Sequence, residues 1–330
     1  MPQETFTSHP QYGGLLHPEF IAGVIENTMR ESVVLSNFTR MRNMIARETW
    51  LDVRSELPSA FAVDGYNEGG AVPSVKTNTK KVTTQKFEPR LLKAGEFAAI
   101  KVFRDADLAD ALANGYDVIG GDIPVFASQF GRAIDRAIIF GVDKPVEWAD
   151  IDSLWLRAST NGLVVTPTAN NYVDLFGVGG VMEKIELTDY APTGLVSAVQ
   201  MRARLQGMVD GDGRPIFAPN ATLQEGTPFA LGGFPLWFVR NGSWDYTKAS
   251  MLMADFTRLV YSIREEITYR TTRDGIIVDG AGKSHNLAQE NKTALILHMR
   301  LGWQVLDPVT QMSNNPVPFA FLGVAAPTTP

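Results

Sequence analysis

Cysteine is absent from the 330 residues, and that single absence removes disulfides, thiolate catalysis, zinc fingers and iron–sulfur clusters. It also fits assembly in a reducing cytoplasm. Histidine is scarce: His9, His17, His285 and His298 are the whole supply, and none pairs with a second histidine and a carboxylate at metal-ligand spacing. His298 falls inside an expected strand and reads as a hydrogen-bonded structural residue. No apolar run approaches the ~18 residues that a membrane span requires. The first residues, MPQETFTSHPQYGG, lack the basic start and apolar stretch of a signal peptide. The sequons at Asn37, Asn220 and Asn241 are therefore read as chance matches. There is no basic excess either. A net charge of −6 argues against a protein that finds nucleic acid through its overall charge.

Near-misses to chemical motifs fail at identifiable positions. VDGAGKS at residues 278–284 ends like a phosphate-binding loop, but the glycine needed five positions before Gly282 is Ile277. GVGG at 177–180 has Met182 where a dinucleotide loop needs its third glycine, so a plain loop is expected there. DGDGR at 210–214 offers Asp210 and Asp212 to calcium, yet Pro215 stands at the glycine position and Ala221 at the glutamate position; a hairpin turn is expected. The pair Glu265–Glu266 lies in a strand-like region and reads as a solvated edge or bulge. No catalytic, cofactor or metal residue is assigned, and no enzyme activity is expected.

What is present is 45% hydrophobic residues against 20% charged, enough apolar material for more than one core. After a polar arm over residues 1–17, Phe20, Ile21, Val24, Ile25 and Met29 recur at helical spacing behind Pro18. Residues 46–56 and 79–92 read as two long polar strands, 96–105 as a buried strand, and DADLADALANG as a short acidic helix. The strongest helix signal follows. Ile123, Phe126, Ala127, Phe130, Ile134, Ala137 and Ile138 form one stripe, with Asp122 as N-cap, Pro124 in the first turn and Gly141 as terminator. A domain boundary is placed near 143–152. Beyond it come a helix over about 191–207, a hairpin at MVDGDGRPIF and a strand at 235–240. In the last third Leu259, Tyr261 and Ile263 alternate with Val260, Ser262 and Arg264. Leu295, Leu297, Met299, Leu301, Trp303 and Val305 share one face of a long strand. Residues 312–330 read as a tail whose PFAFLGVAA patch packs locally or on a neighbour.

The polar hairpin has an energetic problem. Over residues 64–86 its larger apolar side chains are Tyr66, Val72, Val75 and Val82. Ordering each backbone residue costs ~1–2 kcal/mol, while burying one such side chain returns ~1.5–3 kcal/mol. A hairpin this polar is either mobile or held by another molecule, and the second reading is favoured because long structureless loops are uncommon. Its lysines, Lys76, Lys80, Lys81 and Lys86, are suited to acidic patches on that molecule, though edge lysines also simply discourage aggregation.

Five segments, in order, resemble the major capsid proteins of tailed double-stranded DNA bacteriophages with the fold named after bacteriophage Hong Kong 97. They are LLHPEFIAGVIENTMRESVVLSNF, the run from YNEGGAVPSVK to RDADLADA, the helix ending at Gly141, ARLQGMVDGDGRPIF, and ENKTALILHMRLGWQVLDP. The resemblance implies an α+β fold with an N-terminal arm and leading helix (1–43), an extended β-hairpin loop or E-loop (44–92), and a peripheral domain with a long spine helix (93–145). An axial domain (146–251) and a return to the peripheral domain with a C-terminal tail (252–330) complete it. The implied partners are copies of the chain, as hexamers and pentamers in an icosahedral shell. Portal, scaffold or protease proteins and a decoration protein would join them, with DNA enclosed but not bound by sequence and no membrane involved. Only about 17 residues precede the first family-like helix, so a separate scaffold is one expectation. Some members crosslink a hairpin lysine to an asparagine with help from a glutamate. Asn291 aligns with that asparagine, but His298 stands at the assisting position, so no crosslink is expected. An encapsulin-type compartment shell is the alternative of the same fold; a cytosolic hydrolase or a tail-tube protein stands further off.

Overall fold

The strand with the cleanest alternation is the one around which the fold is built. The computed structural model describes residues 32–63, 80, 82–114, 117–168, 171–207, 229–313 and 316–324. In chain order these form α1 (Val33–Asn37), β1 (Thr39–Arg40), β2 (Glu48–Glu56), β3 (Lys86–Lys93), β4 (Gly95–Arg104), α2 (Asp105–Ala113) and α3 (Val118–Asp135). The last runs on as a π-helical turn, Arg136–Phe140. After a 3-10 turn at Val146–Trp148 come α4 (Leu154–Thr160), β5 (Val164–Val165), α5 (Asn171–Phe176), α6 (Val181–Glu186), β6 (Gly194–Ala198) and α7 (Met201–Gln206). The chain closes with β7 (Phe229–Leu231), β8 (Phe234–Val239), β9 (Ala249–Ala254), β10 (Leu259–Thr272), β11 (Ile276–Val278), β12 (Ser284–Asn286), β13 (Lys292–Val305) and β14 (Phe319–Gly323).

β13 lies between β10 and β4 in a sheet ordered β1-β10-β13-β4. The six residues expected on one face, Leu295 to Val305, are all buried. A six-stranded mixed sheet, ordered β5-β14-β9-β6-β8-β7, forms the second layer system. Both sheets and α3 contribute to one continuous apolar cluster. Trp148, from the segment expected to be a boundary, is buried between Phe97 (ring centroids 5.6 Å apart) and Trp303 (6.2 Å). The pair β2–β3 stands apart as its own two-stranded sheet.

Several local expectations need correction. The long helix begins earlier than its apolar stripe. Asp117, not Asp122, is the N-cap and accepts from the Gly120 amide, while Asp122 pairs with Lys101 on β4. Pro124 sits inside the helix, where its missing N–H forfeits one backbone bond. Gly141 does end it, at φ +69°. Residues 191–207 are not one helix: β6 occupies 194–198 and only 201–206 is helical. The cause is burial on both faces, which erases the alternation that marks a strand. β4 is half exposed rather than buried, because it is the edge of its sheet. The second hairpin strand starts at Lys86, not 79. Within the PFAFLGVAA patch, Phe319–Gly323 packs locally as β14 between β5 and β9. The helix after Pro18, the hairpin at 208–217, His9 and His17 fall outside the described residues.

Candidate interaction surfaces

The hairpin β2–β3 pairs Trp50 with Leu91, Asp52 with Pro89 and Arg54 with Phe87. Because side chains alternate, these residues share one face. Trp50 is 62% exposed and Phe87 56%, large apolar surfaces, with the Arg54 guanidinium over the Phe87 ring at 5.8 Å. Toward the tip Val82 is also bare, as is Ile45 at the base. The hairpin is held at Val53 and Arg54 and most densely at its root. Leu92, Met44 and Ala94 form a small separate core there, with Leu51 against it. The Trp148 indole N–H donates to the Lys93 carbonyl (2.9 Å), and Gln304 donates to the Leu91 carbonyl (3.1 Å). The Val309 amide reaches the Arg54 carbonyl at 3.0 Å. β13 comes so near that a Cβ on Gly302 would lie 2.8 Å from the Lys93 oxygen.

Charge completes the root. Asp307 is buried and pairs with Arg157, with Arg90 at 3.5 Å. Lys93 and Asp150 meet at 2.9 Å; their bond holds the lysine above its usual range and the carboxyl below its own. Arg47 pairs with Glu147 at 2.9 Å.

Of the lysines singled out by sequence, Lys76 and Lys81 lie outside the described residues. Lys80 is exposed. Lys86 is exposed but engaged, 3.0 Å from Glu56 on the facing strand, where it holds that carboxyl below its usual range. Asn291 sits at φ +49° just before β13, its carbonyl accepting from the Asp105 amide (3.0 Å). It is at the end of β13 remote from Gly302 and Gln304, where the hairpin is rooted, roughly 40 Å along the strand at ~3.3 Å per residue. One chain therefore does not bring Asn291 to the hairpin root. His298 is a hydrogen-bonded residue as expected, between Thr268 Oγ1 (2.9 Å) and Glu265 (3.0 Å). Glu265 also binds Arg300 (3.2 Å), which reaches Glu96 at 2.8 Å. The β10–β13 register slips on both sides of Glu265, the bulge expected at the acid pair. GVGG is a turn between α5 and α6, and VDGAGKS is the turn of the β11–β12 hairpin.

Sequence reasoning missed two features. The exposed Trp50 and Phe87 were legible as aromatic residues on strands rich in charge. The other is Asp135, fully buried, whose carboxylate accepts from Ser32 Oγ (2.7 Å), the Val33 and Val34 amides (3.1 and 3.0 Å), Asn241 (2.7 Å) and Ser243 Oγ (3.4 Å). It ties the start of α1 and the 241–243 turn to α3. Burial pushes its pKa up, and the bonds from Ser32, Asn241 and the two amides oppose that. An acid inside the apolar stripe beside Ile134 was the available signal. The sequon at Asn241 is thus occupied by a structural bond.

The match to known proteins decides the class. The model of the phage capsid family matches residues 13–310. The chain belongs to the phage capsid family. It is a major capsid protein, a structural component of a bacteriophage head. Solved structures from Mycobacterium phage Adephagia and Mycobacterium phage Cain each share 26% identity with this capsid protein at a TM-score of 0.72. The first covers 91% of both chains; the second covers 89% of this chain and 90% of its own. The capsid of an empty GTA particle shares the fold at 18% identity and TM-score 0.56, over 99% of this chain and 95% of that one. No functionally curated protein matches.

Proposed function

We propose that this capsid protein self-assembles through hexamers and pentamers into an icosahedral shell around double-stranded DNA, and that its function resides in interfaces rather than a catalytic pocket. The observation that carries the reading is the hairpin β2–β3. A two-stranded sheet is marginal alone in water, yet this one leaves Trp50 and Phe87 more than half exposed among the described residues. Covering each ring with a neighbouring copy would return ~1.5–3 kcal/mol. On this reading residues 44–92 are the extended loop, α3 is the spine helix, and the six-stranded sheet belongs to the axial domain with β14 added from the tail. The arm and hairpin reach adjacent subunits. Portal, scaffold or protease and decoration proteins are the further partners, with assembly in the host cytoplasm. No autocatalytic crosslink forms, and denaturing gels of purified virions would show free monomers.

Negative-stain microscopy of the protein expressed alone and with its genomic neighbours tests the reading. Closed polyhedral shells or capsomer rings are expected. Glutamate at Lys76, Lys80 and Lys81, or the double variant Trp50→Ser/Phe87→Ser, should leave the subunit folded and abolish shells. Normal shells from both variants would refute the assignment of the hairpin to an interface.

A further inference from the structure

Arginine is costly to leave unpaired, because its guanidinium carries a full charge and five donors. Arg132, on α3, has no hydrogen bond or ion pair among the described residues, and its Nε is sealed from solvent without an acceptor. Its guanidinium lies over Gly242, where even a Cβ would stand 3.8 Å from that Nε. One turn further along α3 is Arg136, whose nearest carboxylate, the exposed Asp143, is 3.9 Å away. Like charges at this spacing on a helix repel. Both arginines line one open cavity of about 260 Å³, walled by Phe140, Gly242 and Trp244. The one carboxylate on its wall, Asp245, is engaged by Thr247 and, at 3.6 Å, by Lys248.

The surroundings are positive as well. Lys248 stands over the Phe140 ring at 5.8 Å and Arg204 over Tyr246 at 5.6 Å. Four cations and three aromatic rings thus share one region with three carboxylates, Asp143, Asp245 and the buried, hydrogen-bonded Asp135, in a chain whose overall charge is −6. Interleaved basic and aromatic residues are the footprint of nucleic-acid backbone contact. A carboxylate has two oxygens and matches one guanidinium fork; a phosphate can bridge two.

We infer that the Arg132–Arg136 cavity is a phosphate-binding site, filled by free phosphate or by a phosphodiester of DNA. The second source rests on the reading of the chain as a DNA container, whereas the site itself does not. It binds without regard to sequence and would fasten enclosed DNA to the subunit.

Thermal unfolding of the purified protein in inorganic phosphate and in chloride at matched ionic strength tests the site. Fluorescence anisotropy with a short DNA duplex tests the source. Phosphate should raise the midpoint of the natural protein, and Arg132→Gln/Arg136→Gln should abolish that rise. If DNA is the source, the double variant also lowers the slope of log affinity against log salt by ~1 to 2. An unchanged slope with the phosphate effect lost assigns the site to free phosphate. Asp245→Asn removes the opposing charge without touching either arginine, and should strengthen phosphate binding several-fold. It keeps the test open if the double variant misfolds. No phosphate effect in the natural protein, or the same effect in the double variant, overturns the site. Shell formation by the double variant, viewed in parallel, separates that failure from failure of the container reading. If shells are lost while phosphate has no effect, the arginines instead meet a carboxylate of a second copy, which also overturns the site.

Discussion

Replacing Asp135 with alanine should loosen the start of α1 before it unfolds anything else. The carboxylate satisfies the Val33 and Val34 amides, two of the donors that every helix leaves open in its first turn. Ser32, Ser243 and Asn241 also donate to it, but hydroxyls rotate and Asn241 is only partly buried. The two amides have no such escape. Each buried donor left unsatisfied costs ~1–3 kcal/mol, giving ~2–6 kcal/mol in all. Removing a buried charge returns part of this, since its desolvation costs several kcal/mol. A net loss of ~2–4 kcal/mol is expected against a typical stability of ~5–15 kcal/mol. Asp135→Asn keeps an oxygen for one amide but turns an NH2 toward the other, so it should lose ~1–3 kcal/mol, the cost of one unsatisfied donor.

The assay is denaturant unfolding of unassembled subunits, read with hydrogen exchange at Val33 and Val34. The two amides should exchange faster by more than the global loss predicts, because α1 detaches locally. Protease should then cut ahead of Phe38 more readily. If Asp135→Ala shifts stability by less than ~0.5 kcal/mol, the range of an ordinary surface change, and both amides stay protected, the carboxylate is not the anchor described here.

Three further outcomes follow from the same geometry. Gly302→Ala places a methyl against the Lys93 carbonyl and the Leu92 and Met44 side chains; backbone must shift, so denaturant unfolding should show a loss of ~1–3 kcal/mol. Arg157→Ala leaves the buried Asp307 with only the longer Arg90 contact. Calorimetry should register ~3 kcal/mol of destabilisation, the cost of exposing one partner of a buried pair, and an effect near zero would mean that Arg90 suffices. Glu290, bonded to Lys292 beside His285, has its pKa drawn down to about 2. A depressed carboxyl pKa stabilises above the ordinary value and is lost as pH falls through the depressed one. The protection of amides around β11–β12, taken relative to their intrinsic exchange rates, should therefore hold above pH 4.5 and fall progressively from there to about 2.

What the sequence disclosed depended on whether an element keeps one wet face. β13 was legible residue by residue because Leu295 to Val305 alternate with half-exposed positions such as His298 and Arg300. β6 and β14 were not, since all five residues of each are buried and alternation disappears with the second wet face. The same burial that hides such strands from pattern reading makes them central in the six-stranded sheet. α3 was found by its stripe, yet its start was misplaced because Val118–Asp122 precede the stripe and carry two glycines. Its cap could be assigned only once Asp117 was seen to bond Gly120.

Candidate surfaces follow a different rule, because they are departures from the local pattern. Trp50 and Phe87 are aromatic on the exposed side of a hairpin rich in charge, and Asp135 is charged within the apolar stripe of its helix. Each is visible in the sequence as an exception, but its meaning needs the third dimension. Only the fold shows that the two rings stay more than half exposed among the described residues, while five donors converge on the acid. Net charge fails for the opposite reason, since a sum over 330 residues conceals where the cations gather. Arg132 and Arg136 are one helical turn apart in a chain with six more acidic than basic residues. It is their confinement in one cavity without a matching carboxylate, not their number, that gives them a chemical consequence.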